Sequence, residues 1–107
     1  MVKKRIPKEI IKEIDRYVDI LKKDKISIAG VFLYGSYAKG TQHKWSDIDV
    51  CVVSKNFHDP YKAMRYLWMK RPKDSGLTIE PVGFSPKDFS EDSSLIAEIK
   101  KTGIRIR

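Results

Sequence analysis

Gly30-Val31-Phe32-Leu33-Tyr34-Gly35-Ser36, followed after ten residues by Asp47-Ile48-Asp49-Val50-Cys51-Val52-Val53, decides the fold. The first stretch belongs to a strand predicted over Ile26 to Tyr34, almost continuously apolar from Ile28, as expected of a strand covered on both faces. It stops at Gly35, and Ser36 can cap a helix beginning at Tyr37. The second stretch opens on two carboxylates and runs on as a strand over Ile48 to Val53. Both polar turns therefore fall at the rim of a sheet, where ligands of α/β domains bind.

Outward from this centre, Pro7 to Leu21 reads as a helix, with proline at its first position. Ile10, Ile11, Ile14, Tyr17, Val18 and Leu21 recur at helical spacing and form its core stripe. Gly40 to Trp45 is polar and broken, so the helix after Ser36 is short. Asp59-Pro60 is an N-cap followed by proline, and the helix it opens runs to about Lys70, with Tyr61, Met64, Leu67 and Trp68 expected inward. Leu77 to Phe84 is a third strand. Pro81 inside it implies an edge position or a bulge. Ser85-Pro86 starts another helical turn, a last helix covers about Ser93 to Lys101 with Gly103 at its end, and Ile104 to Arg107 alternates like a short strand. Ile104 to Ile106 can pair with its own sheet or with the sheet edge of a second copy. The order α-β-α-β-α-β-α-β predicts an α/β (α+β) two-layer domain with a small mixed sheet.

The chain has 107 residues, enough for one domain over 1–107. No apolar run approaches the roughly 20 residues of a membrane-spanning helix. The basic start, Met1-Val2-Lys3-Lys4-Arg5, is not followed by an apolar segment, so no secretory signal is read and a cytoplasmic protein is expected. Cys51 is the sole cysteine and His43 and His58 the only histidines, which excludes an intrachain disulfide and leaves a Cys/His zinc site short of ligands. The formal charge of +8 favours a polyanionic partner: nucleotide phosphates, nucleic acid or an acidic protein surface.

A strand running into Gly-Ser and a helix start suits phosphate. Glycine lets the backbone approach an anion, free amides point at it, and the hydroxyl of Ser36 adds a donor. Lys39 can bring a positive charge to the same anion. Gly35 and Gly40 have the spacing of Walker A glycines, but Thr41 stands where that motif needs lysine, so a P-loop is rejected. Asp47 and Asp49, two apart in extended chain, leave the same face about 7 Å apart at the backbone and can converge on magnesium. Glu80, inside the third strand, is the best third carboxylate. Asp88, Glu91 and Asp92, in turn-like sequence, are weaker candidates.

Together, Gly35-Ser36 and Asp47-Ile48-Asp49 resemble the signature of the DNA polymerase beta-like nucleotidyltransferase superfamily. The ten-residue gap and the text Leu33-Tyr34-Gly35-Ser36-Tyr37-Ala38-Lys39-Gly40 resemble its minimal nucleotidyltransferases. The resemblance implies a polymerase beta palm-like sheet with helices packed on it. It implies transfer of a nucleoside monophosphate, AMP from ATP, to a hydroxyl, with magnesium (two ions) held by Asp47, Asp49 and Glu80 and the triphosphate held by Gly35, Ser36 and Lys39. The family more often has aspartate at the position of Glu80 and arginine at that of Lys39; lysine keeps the charge but loses the bidentate fork. Many such proteins are antitoxins that adenylylate a tyrosine of a helical HEPN ribonuclease toxin, so a HEPN-type partner is the expectation.

Two other classes are compatible with the sequence. One is an antitoxin that neutralises its partner by complex formation without catalysis. The other is a nucleic-acid-binding module, permitted by the basic residues with Trp45, Tyr66 and Trp68 but supported by no recognised motif. Trp45, in a basic loop beside the carboxylates, can stack on a base, anchor a partner, or fold back over the core.

Overall fold

The computed structural model describes residues 6–91 and 93–107. Met1 to Arg5 and Asp92 lie outside the described residues. The elements run α1 (Lys8–Lys23), β1 (Ile28–Tyr34), α2 (Ser36–Lys39), β2 (Ile48–Ser54), α3 (Pro60–Met69), β3 (Ile79–Phe84), α4 (Pro86–Phe89), α5 (Ser94–Thr102) and β4 (Ile104–Arg105). The predicted alternation holds as far as β3; between β3 and β4 stand two helices, α4 and α5, where the alternation has one. Pro7 is the N-cap of α1 rather than its first residue.

The sheet order is β3-β2-β1-β4. β1 is antiparallel to β2 and β4, and β2 is parallel to β3, so the sheet is mixed. Pro81 sits on β3, an edge strand, where a residue without an N–H is tolerated. β4 pairs with Phe32 and Leu33 of its own sheet.

Alternation along the strands splits the core in two. Val31, Leu33, Ile48, Val50 and Val52 pack with Ile10, Ile14, Tyr17 and Leu21 of α1 and with Ala63 and Leu67 of α3. From the other face Tyr34, Cys51 and Val53 meet Ile99 of α5, with Phe32, Val82, Phe84 and Phe89 against them. Helices thus cover both faces, and the expected two layers are three. β2 is the central reason, since Val50 to Ser54 are all buried and need cover on each side.

The inward face of α3 differs from expectation. Ala63 and Leu67 are buried, while Tyr61 and Met64 are 69% and 52% exposed. Positions 63 and 67 lie one helical turn apart, and 61 and 64 lie on the opposite side, so both pairs cannot face the sheet. Trp68 is 38% exposed, with its indole N–H donating to the carbonyl of Pro81 at 3.1 Å. The indole thereby lies along the outer edge of β3. Buried Tyr17 ties α1 to α3 by donating its hydroxyl to the carbonyl of Leu67 at 2.6 Å. That carbonyl is one of the last four of α3, which have no partner within the helix.

Candidate active site

Lateral pairing puts Tyr34 beside Asp49, and Asp49 beside Glu80, in one row across three strands. Paired residues share a face, so the condition for Glu80 to join the aspartates is met. Gly35 follows at the end of this row with φ 71° and ψ −149°. This is backbone that side chains rarely adopt. A Cβ at Gly35 would also overlap Asp49 Oδ2 and lie 3.1 Å from Asp49 Cγ. Glycine is required here twice over, once for conformation and once for the approach of the carboxylate.

Gly35, not Ser36, is the N-cap of the one-turn helix α2, and no side chain caps it. The carbonyl of Gly35 accepts from the amides of Ala38 and Lys39, both at 3.1 Å. Ser36 is the first helical residue, and it lines a cavity of about 360 Å³. Asp47, Asp49 and Glu80 line the same cavity, together with His43, Trp45 and Ser46. A recess of about 490 Å³ beside Ile26, Phe57 and Ala63 is larger, but its one carboxylate, Asp59, caps α3.

The loop leading into Asp47 is fixed by its own polar groups. Ser46 accepts at its hydroxyl from the amide of His43 at 2.9 Å, and the carbonyl of His43 accepts from the amide of Ser46 at 3.0 Å. Nδ1 of His43 accepts from the amide of Trp45 at 3.3 Å. That contact needs the Nδ1 lone pair, so the ring proton of neutral His43 is on Nε2. Trp45 is 78% exposed and lines the cavity rather than folding over the core. His43 therefore lines the cavity in addition to the residues expected from the sequence, which carries no spacing signal for it.

The electrostatics are those of crowded negative charge. The carboxyl of Glu80 is held above its ordinary range by a hydrogen bond with Asp47, then by burial and by the charges of Asp47 and Asp49, with Arg71 opposing. Asp49 is raised by burial first, then by Asp47 and Glu98. Two carboxyl groups close enough to share a proton are a place where a divalent cation lowers the energy. Among the described residues no three acidic, histidine or cysteine side chains are gathered into a cage of protein ligands alone. This donor set suits magnesium, which takes one or two carboxylates and completes its shell with water and substrate phosphate.

Lys39 is not among the cavity-lining residues; its Nζ lies 3.7 Å from Glu98 Oε2 on α5. Asp88 and Glu91 do not line the cavity either, and Asp92 lies outside the described residues. No helix among the described residues is long and apolar enough to cross a membrane.

A nucleotidyltransferase domain model matches residues 7–106. Over 67 residues, 59% of this chain, the sequence is 33% identical to a protein of Methanocaldococcus jannaschii provisionally named a protein adenylyltransferase, and the match spans 46% of that relative, less than half its length. A solved mutant of the toxin-antitoxin MntA-HpeT superposes with TM-score 0.64 at 22% identity, covering 87% of this chain and 71% of that one. A toxin-antitoxin crystallised with AMP-PNP matches with the same values. A provisionally named nucleotidyltransferase from Sulfolobus solfataricus gives TM-score 0.65 at 16% identity, covering 91% and 78% of the two chains. At these identities the solved structures are similar to this chain in fold. With the domain model spanning nearly all of the described chain, this protein belongs to the nucleotidyltransferase domain family.

Proposed function

We propose that this protein transfers AMP from magnesium-bound ATP to a hydroxyl of a partner protein, and that it is the cytoplasmic antitoxin of a HEPN-type ribonuclease. Residues 1–107 work in this reading as one nucleotidyltransferase domain. The observation that carries it is the convergence of Asp47, Asp49 and Glu80 with Ser36 on one cavity at the end of the Tyr34–Asp49–Glu80 row. The relatives supply the context: one bears the name of a protein adenylyltransferase, and others are toxin-antitoxin structures, one with AMP-PNP.

Asp47, Asp49 and Glu80 would hold magnesium, one ion or two, which when bound neutralises phosphate charge and favours ionisation of the attacking hydroxyl. The chain's own contribution is positioning. Ser36 and the amides around Gly35 receive the triphosphate, and the narrow approach of Asp49 to Gly35 fixes the carboxylate relative to that turn. The acceptor oxygen bonds to the α-phosphorus, the bond to the bridging oxygen breaks, and pyrophosphate leaves with that electron pair. In this reading the hydroxyl proton would pass to Glu80, which lines the cavity with Asp47 and Asp49. Lys39, paired with Glu98 in the structure, would serve the triphosphate by changing partner.

The second reading, neutralisation by binding alone, is favoured by that same Lys39–Glu98 pair and by the incomplete protein cage. One experiment separates the two. The protein is incubated with labelled ATP, magnesium and the product of the neighbouring gene. The expected result is a mass increase of one AMP on a partner tyrosine, abolished by Asp47→Asn/Asp49→Asn. Label transfer that persists in the double variant would falsify the catalytic reading, and a stable complex without nucleotide binding would select neutralisation by binding.

A further inference from the structure

We propose that the outward face of α3 is a docking surface for a partner protein whose own contact surface is apolar at its centre and acidic at its rim. Tyr61, Met64, Trp68 and Met69 follow one another at helical spacing on the side of α3 away from Ala63 and Leu67. Their exposures are 69%, 52%, 38% and 70%. A helix carrying one apolar stripe packs one face on the core; α3 carries two, and the second has no cover within the described residues.

Charge selects the kind of occupant. Between Asp59 and Lys73 the chain carries Lys62, Arg65, Lys70, Arg71 and Lys73 against a single carboxylate, Asp59, which caps the helix. Lys70 is paired with Asp24 at 3.1 Å, whereas Lys62, Arg65 and Arg71 have no ion-pair partner among the described residues. Arg65 lies over the ring of Tyr61 at 5.8 Å, and Arg71 over that of Trp68 at 4.3 Å. Exposed tyrosine, tryptophan and methionine mixed with arginine is the composition of protein interfaces. A second copy placed symmetrically on this face would bring two sets of these cations into one interface with no carboxylate of α3 free to pair with them, so the occupant is a different, acidic protein. Nucleic acid would use the cations but leave Met64 and Met69 unmatched.

The face leads to the carboxylates. Trp68 and Arg71 line a cleft with Leu77, Thr78 and Ile79. Leu77 and Thr78 also line the next cleft, with Trp45 and Asp47. A protein seated on α3 and reaching over Leu77–Thr78 arrives beside Asp47, which gives an acceptor hydroxyl a fixed line of approach. In this respect the inference deepens the proposed transfer reaction and rests on it; the docking surface itself does not.

The test uses the whole chain and the purified product of the neighbouring gene. Met64→Glu/Met69→Glu, both exposed, is expected to weaken the complex about ten-fold or more, as when the centre of an interface is disrupted. It should leave the thermal midpoint and magnesium-ATP binding unchanged and should lose AMP labelling of the partner. Asp47→Asn/Asp49→Asn should do the reverse, keeping the complex and losing the label, so failure of the docking face and failure of the transferase reading give different patterns. Should Met64→Glu/Met69→Glu fold poorly, Arg65→Glu carries the charge arm: weaker binding with a reduced salt dependence. Unchanged affinity in the folded variants, or no complex with the wild-type chain, overturns the proposal. So does a single-stranded oligoribonucleotide, or self-association of this chain, whose binding those substitutions remove.

Discussion

Gly35 and Asp49 are held so close that no side chain can stand between them. The glycine ends β1, the aspartate sits one strand away beside Tyr34, and a Cβ on the first would fall on Oδ2 of the second. The glycine-serine turn and the carboxylate pair are therefore one construction. The conformation of Gly35 sets where Ser36 points, and its missing side chain sets how near Asp49 can come.

Gly35→Ala should consequently damage both stability and chemistry. The backbone at φ 71° and ψ −149° penalises any side chain, by about 1–3 kcal/mol, and the overlap displaces Asp49. We expect a lowered thermal midpoint and a loss of nucleotide transfer of at least about 100-fold, as for catalytic groups misplaced by an ångström. Gly40→Ala is the control. Gly40 also has positive φ, 75°, but open space where a Cβ would lie. It should cost about 1 kcal/mol and leave transfer within a few-fold of wild type. Thermal unfolding and a pyrophosphate-release assay on the two variants check the contrast.

The carboxylate cluster should weaken the metal-free fold. Asp49 and Glu80 have folded pKa values raised above their ordinary values. A raised value contributes stability that is complete below the ordinary carboxylate range, about pH 4, and is lost as pH rises through the folded value. Metal-free protein should therefore lose part of its stability above that range. At neutral pH Glu80→Gln should raise its thermal midpoint by a few degrees. Magnesium should stabilise wild type and do so less in Glu80→Gln. A scan of melting temperature against pH, with and without chelator, decides it; equal magnesium shifts in both proteins would remove Glu80 from the metal site.

The elements that sequence places well are those with a strong local signal. β2 was legible because Val50 to Val53 are consecutive apolar residues, and the edge position of β3 because Pro81 cannot donate. Glu80 was legible as a candidate because it is a carboxylate inside an apolar strand; that this strand runs parallel beside β2 with Glu80 level with Asp49 depends on tertiary pairing that the sequence left open. What misled was α3. Tyr61, Met64 and Trp68 satisfy helical periodicity as well as Ala63 and Leu67 do, and periodicity does not say which of two apolar stripes faces the sheet. The small residue Ala63 decides it, because α3 lies against the sheet there. His43 escaped because its place in the cavity depends on three hydrogen bonds within one loop, which no spacing rule encodes.

Trp45 should report nucleotide directly. It lines the cavity with Ser36 and the carboxylates and is exposed, with Lys44 Nζ 5.1 Å from its ring centroid. In a Trp68→Phe background, which leaves Trp45 as the only indole, magnesium-ATP should change the fluorescence. Trp45→Ala should raise KM about ten-fold, about 1.4 kcal/mol of stacking, with a smaller effect on kcat. A silent indole with unaltered KM would place the base elsewhere.

Tyr17→Phe tests how α3 is held, independently of any ligand. Tyr17 is fully buried, and its hydroxyl serves the Leu67 carbonyl at 2.6 Å. Phenylalanine fills the same space but leaves that buried carbonyl without its partner. The cost should be about 1–3 kcal/mol. Because α3 supplies the flank of the sheet next to Glu80, hydrogen exchange should rise at the C-terminal turn of α3, at Tyr66 to Lys70, and remain unchanged at β1 and β2. A stability loss spread evenly over the chain would instead mean that Tyr17 supports the core as a whole.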